Sequence, residues 1–269
     1  MTDYRSHLSV AIWAALVALV LGHIVTLPTR TFAALVFGSP ITLTISSRLL
    51  TGLVAVAIVC AGLEAAIRTH PRQRQLRHTY RYWGLPSAIV MTAGALLPAA
   101  PSDTWWLIGV MLTGAILAAA MLGEYHVADR EDPAFHGARL LLNALCYGLA
   151  ATTFILIYSS RSRSLISATL IGLISGLLTL DLLREITTRH LPALLFGLVV
   201  AVTMAQLTWV LNYGPYTAVR VGLVLLVVFY LLVGLAQQQL LGHLTRRRAL
   251  EYIALAVLAI AILMGFPDG

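Results

Sequence analysis

The sequence contains no lysine: all 18 of its basic residues are arginines. That absence removes two classes of chemistry. A retinal or pyridoxal Schiff base needs a lysine amine, and a P-loop needs the lysine of its Gly-Lys pair. Charge of either sign is scarce. Charged residues make up 11% of the 269 positions, where a soluble domain carries about 25%, so there is too little polar surface to cover a water-soluble globule. Cysteine is nearly missing. Cys60 and Cys146 lie inside apolar runs and form no CxxC pair. A disulfide framework or zinc knuckle is therefore not expected, and both read as small buried hydrophobes. No G-x-S-x-G nucleophile and no H-E-x-x-H zinc helix occur.

What is present is apolar. Hydrophobic residues make up 59% of the chain, and mean hydropathy is +0.87. They fall in repeated runs of about 20 residues, the length that crosses a bilayer as a helix. Within lipid every backbone polar group must be bonded internally, and the runs lack the alternation of a barrel strand. The expectation is an all-α polytopic helical membrane protein, 1–269 forming one integral membrane domain. Nine candidate spans, eight at the least, lie near 8–27, 47–67, 84–100, 105–123, 138–158, 165–183, 191–211, 217–236 and 249–266. The first follows Arg5 and His7 and lacks a small-x-small cleavage site after it, which reads as a retained signal-anchor. In the connection 28–46, residues 31–37 form an apolar patch too short to span. Ile41-Thr-Leu43-Thr-Ile45 alternates with period two, so a short strand is expected there, in a cap on the membrane surface. Pro101-Ser-Asp-Thr104 and Asn212-Tyr-Gly-Pro215 read as tight turns.

Arginine placement gives an orientation. With the N-terminus inside, Arg30, Arg48, Arg161, Arg163 and Arg220 are outer and the other 13 are inner. That asymmetry favours N-inside and C-outside in a bacterial-type cell membrane. Trp105, Trp106, Tyr158, Trp209, Tyr213 and Tyr216 then mark the outer interface, and Tyr80, Tyr82, Trp83 and Tyr252 the inner one. The inner loop carrying Arg72, Arg74, Arg77 and Arg81 reads first as a topogenic signal. Its functional reading is contact with anionic lipid headgroups or an acidic partner. The net charge of +7 needs nothing more, and no nucleic-acid partner is expected.

Spans two to five and six to nine share spaced features. Ser46-Ser-Arg48 and Ser162-Arg-Ser164 precede spans two and six, Leu85-Pro86 and Leu191-Pro192 open spans three and seven, and Thr104…Gly109 and Thr217…Gly222 open spans four and eight. They suggest a parallel four-helix repeat, 47–158 and 159–269, after a first helix and cap in 1–46. Ala168, Gly172 and Gly176 form a small-xxx-small ladder on span six, and Ala57, Ala61 and Ala65 form one on span two. Such ladders mark close helix packing, within the chain or with another copy or subunit.

Several acids have an arginine one helical turn away: Glu64 with Arg68, Asp181 with Arg184, Glu185 with Arg189, and Glu251 with Arg247 and Arg248. Glu124 has none, and it ends an apolar span. With His126, Asp129 and His136 it forms the one carboxylate and imidazole group that could serve catalysis or a divalent cation. The spacing matches no metal motif, Pro133 separates the two histidines, and no cofactor or metal is expected. Gln206 and Asn143 are the polar positions within spans that could face a substrate cleft. Two functions compete: a non-enzymatic membrane component, as a transporter-like bundle or a subunit of a complex, and an intramembrane enzyme acting on a lipid or lipid-linked substrate at the inner interface.

Overall fold

The computed structural model describes residues 3–25, 30–36, 39–45, 47–69, 82–129, 131–160, 164–184, 186 and 190–265. Their order is α1 (Asp3–Ile24), β1 (Arg30–Val36), β2 (Ser39–Ile45), α2 (Ser47–Arg68), α3 (Gly84–Leu96), α4 (Asp103–Val127), α5 (Phe135–Ser159), α6 (Ser164–Leu183), α7 (His190–Leu211), α8 (Ala218–Leu240) and α9 (Arg246–Gly265). Every expected span falls on a helix. Seven of these, α1, α2 and α4 to α8, are long and apolar enough to cross a membrane. α3 and the 3-10 turn that follows it form a shorter apolar helix, Gly84–Ala99, and α9 opens on three arginines. The chain is a polytopic helical membrane protein.

The helix ends follow local chemistry. Pro98 sits in the 3-10 turn after α3. Ser102 caps α4, its hydroxyl accepting from the Trp105 N–H at 3.4 Å. α8 ends in a Schellman motif. Gly242 takes φ +69°, its N–H donates to Gln239 at 3.1 Å, and the His243 N–H donates to Gln238 at 3.0 Å. The alternating 41–45 stretch forms β2 as expected. The apolar patch at 31–37 holds β1, which pairs antiparallel with β2.

The helices divide into two compact units, Met1–Leu142 and Asn143–Gly269, with the dividing point inside α5. In the first unit α1 packs most closely on α2, α2 on α3 and α3 on α4, and α4 returns against α1. Glycines set the α1–α2 approach. A Cβ on Gly62 would lie 2.1 Å from Ala11 Cβ, and one on Gly22 would lie 2.2 Å from Thr51 Oγ1. Membrane helices meet closely where side chains vanish.

In the second unit the closest pair is α6–α7, and α8 packs on α7 and α9. The Ala168–Gly172–Gly176 ladder is seated on α7, where a Cβ on Gly172 would come 2.8 Å from the Ala201 carbonyl oxygen and one on Gly176 3.1 Å from Ala201 Cβ. The α2 ladder does not serve packing within the chain: Ala57 and Ala61 are exposed. The face that packs carries Ala55, Val59, Gly62 and Ala66 instead. Phe154 and Tyr147 of α5 meet Phe229 of α8 with ring centroids 5.9 Å apart in each case.

The outward faces are apolar. Leu107, Met111, Leu173, Leu194, Val210 and Leu255 are each more than half exposed. A surface of this kind suits lipid, not water.

Candidate functional site

The turn between α4 and α5 lies within the first unit. α4 has 25 residues, about 37 Å at 1.5 Å per residue, which exceeds the roughly 30 Å hydrocarbon layer. Glu124 is fourth from its C-terminal end, near the edge of that layer. It is fully buried, at 0% exposure, and the one acidic residue among the buried groups of the described residues. Its neighbour Tyr125 stacks on Tyr4 of α1, with centroids 4.1 Å apart and planes 5° from parallel. That stack fixes the start of α1 against the end of α4.

The other candidates build the turn. His126 Nδ1 pairs with Asp132 Oδ2 at 2.7 Å. Asp132 Oδ1 accepts from the Ala134 N–H at 2.8 Å, and Asp129 Oδ1 accepts from the Glu131 N–H at 3.0 Å. The Asp132 and Phe135 N–H groups donate to the Asp129 and Asp132 carbonyls at 3.2 and 3.0 Å. Asp and Asn side chains commonly close turns this way. His136 lies past the turn on α5, edge-on to Phe135. Among the described residues no three His, Cys, Asp or Glu side chains are grouped to hold a metal ion.

Charge pairing elsewhere follows the helical spacing. Arg68 pairs with Glu64, Arg184 with Asp181 at 3.5 Å and Arg247 with Glu251 at 3.1 Å. Arg248 turns instead to Gln238 Oε1 at 3.4 Å and the His243 carbonyl at 3.0 Å. Glu185, Arg189, Arg72, Arg74, Arg77 and Arg81 lie outside the described residues. Gln206 is exposed on α7 and Asn143 is half-buried on α5. Sequence reasoning missed Tyr4, Arg5 and Tyr125 as parts of this end. It also missed Asp132 as the partner of His126. The one available signal was aromatic residues flanking both helix ends.

The fold defines the class: an integral membrane bundle with a buried carboxyl at one end. Residues 27–266 match a family described as a protein of unknown function (DUF5656), and the chain belongs to that family. No curated protein and no solved structure matches it.

Proposed function

We propose that the protein is a non-enzymatic membrane component, a transporter-like bundle that handles a proton at Glu124. The observation that carries this reading is the complete burial of that carboxyl at the end of an otherwise apolar helix. Ionisable groups set into membrane helices are costly, and they commonly mark ion paths and proton relays. The groups that would serve an enzyme at this end are engaged otherwise. His126, Asp129 and Asp132 shape the α4–α5 turn. The arginine asymmetry supports a cell-membrane location with this end inside.

Proton flux tests the reading. The purified chain is reconstituted into vesicles holding a pH-sensitive dye, and an outward or inward pH gradient is imposed. The wild type collapses the gradient faster than empty vesicles. Glu124→Gln keeps the size of the side chain, loses the titratable proton and falls to the empty-vesicle rate. A wild type that moves no protons, or a Glu124→Gln variant at wild-type rate, contradicts it.

A further inference from the structure

A cavity of about 620 Å³ opens along the first unit between α1 and α4, within the range of ligand pockets. Its walls are apolar except at one end. At the Trp13 and Leu16 end, Leu16 packs over Gly114, 2.9 Å from where a Cβ would stand. Ala115 and Ala118 keep the α4 wall low. At the other end stands Arg5, with Ser9 beside it as the one further polar residue of the lining.

The dimensions fit a single leaflet. Arg5 to Leu16 is eleven steps along α1, about 16 Å at 1.5 Å per residue, and half of a hydrocarbon layer of about 30 Å is about 15 Å. The groove therefore runs from the headgroup level to the midplane and is open to lipid at its side. A water-soluble ligand would have to enter through that apolar layer. An acyl chain is already in it.

Arg5 is prepared for an anion. Its Nε donates to the Tyr4 hydroxyl at 3.1 Å, and its guanidinium carbon lies 5.8 Å from the centre of the Tyr4 ring. Tyr4 is in turn held by its stack on Tyr125. No described carboxylate pairs with Arg5, so its two terminal amino groups are available. A guanidinium fork matches the oxygens of a phosphate in two-point fashion.

We propose that this groove is a binding site for an anionic phospholipid of the leaflet at the α1 N-terminus, one acyl chain lying between α1 and α4 and the phosphate on Arg5. The occupant has an acidic headgroup because Arg5 is the one charged residue in the described lining of the groove, and it is positive.

Native mass spectrometry of the full chain in mild detergent tests the site independently of proton flux. The protein is incubated with phosphatidylglycerol or with phosphatidylcholine of the same chain length. The expected result is at least about tenfold more phosphatidylglycerol adduct. Arg5→Gln, at an exposed position, brings that adduct down to the phosphatidylcholine level, and Arg5→Lys restores part of the difference. Ala118→Phe fills the groove and removes both adducts. Equal uptake of the two lipids by the wild type would show an apolar slot without headgroup recognition and overturn the proposal. An Arg5→Gln variant with unchanged preference, or a lipid-free dimer as the main species, overturns it as well.

Discussion

Asp132 shows how much one side chain can settle. One of its oxygens meets His126 across six residues and the other caps the Ala134 N–H. Both partners are partly exposed, so the two contacts together contribute about 1–2 kcal/mol. Asp132→Ala is therefore expected to lower the unfolding temperature in detergent by a few degrees and to leave proton flux intact. Loss of flux at unchanged stability would move His126 and Asp132 from the turn into the working site. The sequence marks Glu124 as unusual because no arginine lies one helical turn away. It does not reveal the His126–Asp132 pair, because a reach of six residues depends on the turn around Pro133, and helical spacing says nothing about it. Burial of Glu124 was likewise hidden, since it depends on which helix covers that end of α4.

At the scale of elements, the apolar runs placed the nine described helices, with their ends off by a few residues. α4 continues four residues past its expected end, through Glu124 to Val127, because an apolar run marks the spanning stretch and not the polar turn with which a helix can extend beyond it. The strand β2 was legible from its alternation. β1 was not, since its run Phe32-Ala-Ala-Leu-Val36 has no period of two, and its partner supplies the pairing. The small-residue ladders show the same limit. Ala57 and Ala61 have the expected spacing, yet Gly62, one step around the helix, makes the contact with Ala11. Spacing identifies a permissive stripe, and only the partner decides which stripe is used. Gly62→Leu should therefore destabilise the protein by at least about 1–3 kcal/mol through overpacking, whereas Ala57→Leu should stay within about 0.5 kcal/mol. Thermal unfolding of both variants in the same detergent checks this, and a larger loss for Ala57→Leu would show that α1 and α2 meet on another face.

For the whole molecule, composition alone excluded a soluble fold, and the exposed leucines of every unit agree with that. Four-helix duplication is a proposal; α2 packs on both α1 and α3, and α6 packs on α7. The close approaches of α1 to α2 and of α6 to α7 rest on a few glycines, Gly22 and Gly62 in one and Gly172 and Gly176 in the other, which a comparison of leucine-rich runs cannot weigh. Orientation is a proposal too, and it is open to labelling. With Cys60 and Cys146 changed to serine, a cysteine replacing Asp103 should react with an impermeant maleimide on intact cells, and one replacing Glu131 should react only after lysis. The reverse pattern would invert the topology. The most direct test of the account is the titration of Glu124 itself. Infrared difference spectra of the reconstituted protein, taken between mildly acidic and mildly alkaline buffer, are compared with those of Glu124→Gln. The account predicts a carboxylic-acid carbonyl band that changes with pH in the wild type and is missing from the variant. The same band in both proteins, or none in either, would contradict it.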